Sequence, residues 1–291
     1  MKVRANEALA WTLVAGRQGL RGIAQVFLQR HAATGACLLT AVAWQSVTLA
    51  LGCLLGALTG TLFGRWRNAG ADADAGLHGY NGALVGIGVL LALPPTELAW
   101  GLVVVLSSLA TGLAQCWRRH LPGSPYTAPF ILMIWLLQAV MPLAGWPPAD
   151  AVLPAVPLSG LMAVVAGVFR GVGQVMFLDD PWSGALCVLG LALAAPRVAV
   201  QALLVSAVAS GLAWMGGFPA NAVWMGLYGF NAVLVAEAVH QARPGRLGFL
   251  CLGVILSLLF MRAFQWLGLP ALTAPFVLAS WVACCICRAD R

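Results

Sequence analysis

Apolar stretches separated by short polar turns run along the whole chain. Ten of them are candidates for the roughly 20-residue helices that cross a lipid bilayer. They lie near residues 7–20, 34–63, 78–94, 98–116, 127–145, 152–169, 184–213, 219–240, 246–266 and 271–287. The stretches near 34–63 and 184–213 are longer than one span requires, and Pro196 predicts a helix break inside the second. The pattern therefore predicts an all-α polytopic membrane protein with ten transmembrane helices.

Three segments of the first half recur, in the same order, in the second half. RGIAQVFL at 21–28 recurs as RGVGQVMF at 170–177, LHGYNGALV at 77–85 as LYGFNAVLV at 227–235, and TAPFILMIW at 127–135 as TAPFVLASW at 273–281. The offsets are 149, 150 and 146 residues. We therefore predict two repeats, residues 1–148 and 149–291, that meet at a proline-rich turn, WPPAD.

Each repeat contains an odd number of spans, five, so the second repeat enters the membrane from the opposite face. This is an inverted-topology repeat, and such proteins place their solute site near the membrane midplane, between the halves. Segments 21–31 and 170–181 are too short to cross the bilayer but apolar enough to enter it. We predict that they form two re-entrant pore half-helices, because non-helical backbone at membrane depth must be buried or line a wet cavity.

Charge is scarce and unevenly distributed. Only 9% of the residues are charged and 61% are hydrophobic, whereas a soluble domain carries roughly 25% charged residues. The basic residues behind the net charge of +7 lie mainly in alternate loops, which is the positive-inside bias of membrane proteins and not a nucleic-acid signal. This bias predicts that both termini lie inside the cell. The basic residues assigned to that side are Lys2, Arg4, Arg65, Arg67, Arg118, Arg119, Arg243, Arg246, Arg288 and Arg291.

Two glutamines and two threonines recur inside apolar surroundings. Gln25 and Gln174 hold equivalent positions in the re-entrant segments, and an unpaired amide in hydrocarbon costs roughly 2–7 kcal/mol. Each amide is either a solute ligand at one pore mouth or a structural bond to a neighbouring helix. Thr127 and Thr273 begin the two TAPF motifs, where the hydroxyl either caps the helix or faces the centre of the path.

Apolar side chains flank these polar positions, and they either form ordinary packing or build a flat slot for a planar molecule. They are Phe27, Phe177, Tyr80, Phe230, Leu84 and Leu234. Apart from Glu237 near a span end, no acidic residue falls in the middle of a predicted span. The chain has no nucleophile–base set, metal cluster or phosphate loop, which argues against an enzyme, and its loops are too short for a receptor's soluble domain. The pattern favours a path for a small uncharged polar solute.

The repeated combination of RG-x-x-QV, LHGYNGALVG and LPGSPYTAPF covers essentially the whole chain and resembles the urea transporter family. The resemblance implies passive permeation of urea across a bacterial inner membrane, without a cofactor. It also implies ten spans plus two re-entrant pore helices per protomer, and a homotrimer in membrane lipid with one pore in each protomer. Another small neutral solute, such as ammonia, formamide or water, is the alternative.

The resemblance further implies how the path is lined. The pore helices would supply backbone carbonyl acceptors, Phe and Leu side chains would form slots, and Thr hydroxyls would mark the narrow centre. The residues implied in urea binding are Gln25, Val26, Phe27, Leu28, Leu77, Tyr80, Leu84, Thr127, Gln174, Val175, Phe177, Leu227, Phe230, Leu234 and Thr273.

Overall fold

The computed structural model describes residues 2–67, 70–146, 160–242 and 244–289, and these residues form helices and turns without a strand. The predicted boundary between residues 148 and 149 lies outside the described residues. The helices are α1 (Lys2–Ala24), α2 (Ala32–Gln45), α3 (Val47–Arg67), α4 (Ala71–Asp74), α5 (Tyr80–Ala92), α6 (Glu97–His120), α7 (Ala128–Val140), α8 (Gly160–Gly173), α9 (Pro181–Ala194), α10 (Pro196–Met215), α11 (Ala220–Trp224), α12 (Gly229–Ala242), α13 (Leu247–Trp266) and α14 (Ala274–Ala289).

Helix length and apolarity confirm the all-helical class but give a smaller number of clear spans. Within the described residues, α3, α6, α10 and α13 are long and apolar enough to cross a membrane. The pair α8 and α9, bent by 72° at a short break, adds a fifth if it counts as one broken span. Helices such as α5 and α7, with 13 residues each, are shorter than a bilayer crossing requires.

Both of the longest apolar stretches are broken. Ala195, immediately before Pro196, is extended with φ −162° and ψ 122°, which confirms the predicted break and agrees with the steric effect of proline on its predecessor. The first stretch breaks at Ser46, which is also extended and whose hydroxyl accepts a hydrogen bond from Leu49 N at 3.3 Å. A serine therefore starts α3 as an N-cap residue, where the second half uses a proline.

The two segments predicted to be re-entrant are the broken ends of longer helices. In the first, α1 continues through Ala24, a 3-10 turn covers Gln25–Phe27, and Leu28 adopts the left-handed conformation with φ 59°. In the second, α8 is followed by the turn Gln174–Met176 and by Phe177 with φ 61°. Left-handed backbone is uncommon for residues other than glycine and costs energy, so it marks a place where the surrounding structure fixes the chain.

Small residues bring α3 and α5 into close contact. A Cβ atom on Gly56 would lie 2.0 Å from Gly82 O, and one on Gly86 would lie 1.9 Å from Gly52 O. Neither distance is possible for a larger residue, so these glycines permit backbone approach of the kind that drives helix association in membranes. The contact fixes the position of α5, whose first turn carries Tyr80 and whose second turn carries Leu84.

Candidate functional site

Thr127 and Thr273 meet at the centre of the candidate site. Their hydroxyl oxygens are 2.7 Å apart, although the residues are 146 positions apart in the sequence, and both are buried. Thr127 makes no side-chain cap to its own helix α7. The helix-capping interpretation of this hydroxyl is therefore not what the structure contains, and the hydroxyl is directed to its counterpart in the second half instead.

The start of α7 is held instead by the side chain of an asparagine on α5. Asn81 Oδ1 accepts a hydrogen bond from Phe130 N at 3.1 Å, and Asn81 Nδ2 donates one to Tyr126 O at 3.4 Å. Tyr126 has a positive φ of 46°. The side chain therefore satisfies a free N–H of a helix start and fixes a strained residue next to Thr127.

The second half repeats this arrangement atom for atom. Asn231 Oδ1 accepts from Phe276 N at 3.0 Å, its Nδ2 donates to Leu272 O at 3.4 Å, and Leu272 also has φ 46°. The backbone partners of Asn81 and Asn231 lie more than 40 residues away in the sequence, so no local pattern points to them. The shared Asn of the two repeats was the only available signal.

The two glutamine amides are bonded in the same way in both halves. Gln25 Nε2 donates to Ala75 O at 2.7 Å, and Gln174 Nε2 donates to Met225 O at 3.1 Å. The structural bond considered at the sequence level is therefore present. Because a carbonyl can accept only from the amide nitrogen, the bond also fixes the orientation of each amide and leaves its Oε1 as an acceptor.

A small cavity of about 90 Å³ lies at the Gln25 end of the site, enough for a few water molecules or a solute of similar bulk. Six of the residues proposed from the sequence line it: Gln25, Val26, Leu28, Leu77, Tyr80 and Thr127. Sequence reasoning missed the rest of the lining, which is Arg118, Ser124, Pro125, Tyr126 and Phe276. Tyr80 Oη donates to Tyr126 O at 2.7 Å, so its ring is held at the wall.

Arg118 introduces a positive charge at this mouth. Its Nε lies 3.5 Å from the carboxylate of Asp72, and both side chains are partly exposed, so the ion pair itself adds little stability. The sequence placed Arg118 only among the basic residues of one membrane side. The Asp72 carboxylate offsets this charge, so Arg118 contributes a paired polar group to the cavity wall.

At the opposite end two phenylalanine rings are in contact. The rings of Phe130 and Phe177 are 5.9 Å apart and inclined by 71°, an edge-to-face contact. Leu28 and Phe276, which hold the corresponding positions at the first mouth, both line the open cavity. The remaining proposed residues are packed at both ends: Phe27, Leu84, Val175, Phe230 and Leu234 are buried, and Leu227 is half-buried.

Apolar helices, paired broken ends and polar side chains buried between them define a multi-pass helical membrane protein. The family model described as urea transporter matches residues 17–288. The chain therefore belongs to the urea transporter family. It is similar to urea transporter 1 of Ovis aries, with 26% identity over 290 residues that cover 90% of this chain and 74% of that protein. It is also similar to urea transporter 1 of Rattus norvegicus, with 29% identity over 245 residues that cover 76% of this chain and 61% of that protein.

Proposed function

We propose that this protein is a channel through which urea permeates passively down its gradient. The observation that carries the proposal is the pair of threonine hydroxyls in contact at 2.7 Å, with one oriented glutamine amide on each side. Membership of the urea transporter family supplies the solute. The chain works without catalysing a reaction, and urea needs no cofactor to pass.

The residues proposed from the sequence take distinct parts in this path. Gln25 and Gln174 accept hydrogen bonds from the urea NH₂ groups through Oε1 at the two ends. Val26, Phe27, Leu28, Leu77, Tyr80 and Leu84 line the first half, and Val175, Phe177, Leu227, Phe230 and Leu234 line the second. Thr127 and Thr273 bond urea at the centre after their mutual bond opens. Because apolar walls strip water from ions without replacing the lost charge interactions, the same path excludes ions.

We further propose that the protomer is an inverted repeat of residues 1–148 and 149–291, with ten crossings and the re-entrant segments 21–31 and 170–181. Equivalent residues of the two halves make equivalent hydrogen bonds, which supports this arrangement. Gln25 and Gln174 each donate to a backbone carbonyl, and Asn81 and Asn231 each accept from the backbone of a helix start. Trp135 Nε1 donates to Pro270 O and Trp281 Nε1 donates to Ser124 O, both at 2.9 Å. Each half therefore reaches across to the other with the same residue type. We propose a homotrimer in a bacterial inner membrane on the basis of the family resemblance. We propose that both termini lie inside the cell on the basis of the distribution of basic residues.

Stopped-flow flux measurements with the purified protein in liposomes test the proposal. Urea, formamide and ammonia are offered separately and in competition, and protein-free vesicles provide the baseline. We expect rapid urea flux that close urea analogues inhibit. A protein that carries ammonia or formamide but gives no urea flux above the baseline would establish the alternative, a channel for another small neutral solute.

A further inference from the structure

A polar cluster lies at the end of the first broken helix, where the two halves meet. Gln29 Nε2 donates to Phe27 O at 3.0 Å and to Glu237 Oε2 at 3.2 Å. Gln241 Nε2 donates to Leu28 O at 2.8 Å. Glu237 is only 2% exposed, and its Oε1 has no hydrogen-bond partner among the described residues. Two side chains of the second half are thus linked to the backbone of the first: Gln241 bonds it directly, and Glu237 is linked to it through Gln29.

The second copy of this place in the fold is apolar. The repeat aligns Gln29 with Leu178, Glu237 with Ile87 and Gln241 with Leu91. Leu178 and Ile87 are fully buried, so apolar residues are sufficient to pack this position. A buried acidic residue is costly, and in membrane proteins such residues usually have a functional role. The polar cluster therefore needs an explanation other than the packing of helices.

The bonds of the cluster end on the carbonyl of Phe27, the last residue of the Gln25–Phe27 turn, and on that of Leu28, which follows it. Leu28 lines the cavity at the first mouth and has the left-handed backbone described above. A carbonyl oxygen has two lone pairs, so the bonds from Gln29 and Gln241 each use one and leave one for a solute. A carbonyl held on one side by a fixed donor has little freedom to turn away from the path.

We propose that Glu237 is a positioning residue for urea selection. Its carboxylate holds Gln29, and Gln29 holds the carbonyl of Phe27, while Gln241 holds the carbonyl of Leu28. The first half of the path thereby presents carbonyl acceptors in a fixed orientation that the second half lacks. This inference rests on the proposed urea path. Urea carries two NH₂ groups and formamide carries one, so fixed acceptors favour urea over formamide.

The second half itself supplies the variant that tests the inference. Gln29→Leu combined with Glu237→Ile copies the apolar pair Leu178 and Ile87, so we expect it to fold with a melting temperature close to that of the wild type. Glu237→Ile alone removes one of the two acceptors of Gln29 Nε2 and leaves the bond to Phe27 O, and we expect a lower melting temperature. Glu237→Gln is the matched control, because it keeps an oxygen acceptor for Gln29.

The decisive readout is the ratio of urea to formamide permeability in proteoliposomes. For the double variant we expect this ratio to fall by roughly 2- to 13-fold, the effect of one hydrogen bond, whereas Glu237→Gln keeps the native ratio. A stabilising role alone would leave the ratio of the well-folded double variant unchanged. A native ratio in that variant therefore overturns the inference.

A second variant covers the case in which the double variant fails to fold. Gln241→Leu changes an exposed side chain and removes only the bond to Leu28 O. It tests the same fixing of a first-half carbonyl by a side chain of the second half, so we expect the same ratio to fall. A native ratio would mean that fixing a carbonyl here does not select urea, and it would overturn the inference. Wild-type protein that gives no urea flux would overturn both the proposed function and this inference. Wild-type flux combined with native ratios in the variants would overturn this inference alone.

Discussion

Replacing the two central threonines by valine tests the middle of the path. Valine has nearly the shape of threonine but no hydroxyl. In Thr127→Val or Thr273→Val alone, the remaining hydroxyl loses its partner at 2.7 Å and stays buried, which costs about 1–3 kcal/mol of unfolding free energy. In the double variant both partners are apolar, so the cost is smaller than the sum of the two single effects.

Urea flux is expected to fall further in the double variant than in either single variant, although the loss of stability is less than additive. Each hydroxyl that bonds the passing urea contributes a net of about 0.5–1.5 kcal/mol. This converts to a flux that is about 2- to 13-fold slower for each single variant, and the double variant is slower than either. The double variant is thus more stable than expected from the single variants and yet the poorest channel.

Stopped-flow urea flux and thermal unfolding in detergent measure the two effects separately. Thr40→Val is the matched control, because the Thr40 hydroxyl is exposed and bonds only Ala36 O in its own helix; native flux is expected. If both single variants and the double variant kept native urea flux at equal protein content, the threonines would not lie in the path and the reasoning would be wrong.

Three further variants test other parts of the site. Asn231→Leu removes the acceptor of Phe276 N and should lower the unfolding free energy by about 1–3 kcal/mol; an unchanged thermal unfolding midpoint would contradict the capping role. Gly226→Ala should prevent folding or lower the melting temperature sharply, because φ is +75° and the new Cβ would lie 2.3 Å from Gly171 N. The control Gly211→Ala has no described atom within 4 Å of its Cβ and should fold normally. Phe177→Leu makes the second mouth resemble the first, so flux of bulkier urea analogues should rise relative to urea; a constant ratio would refute the role of the ring.

The repeat made much of this arrangement predictable from the sequence. Polar residues that recur in apolar surroundings, such as Gln25 with Gln174 and Thr127 with Thr273, had to find partners, and the structure gives each pair an equivalent environment. Pro196 likewise predicted a helix break, because proline constrains its predecessor. The break at Ser46 was not assigned to a residue, since a serine inside an apolar run has no comparable steric consequence.

Other features depend on contacts between distant segments and could not be read locally. Asn81 bonds the backbone of Phe130, 49 residues away, and no local pattern identifies such a partner. Arg118 was readable as a basic residue of one membrane side, but its place beside Tyr80 and Phe276 at the cavity depends on how the helices pack. The sequence placed Glu237 near a span end but gave no sign of its partner, because Gln29 belongs to the other half of the chain.

The central claim is that this chain forms a passive path for urea, and the initial rate of urea flux tests it most directly. Purified protein in liposomes is given a urea gradient with no proton, sodium or electrical gradient, and the rate is compared with that of protein-free vesicles. We predict flux well above the protein-free rate in both directions, unchanged when an ion gradient is imposed. A rate equal to that of protein-free vesicles, or flux that appears only with an ion gradient, would contradict the account.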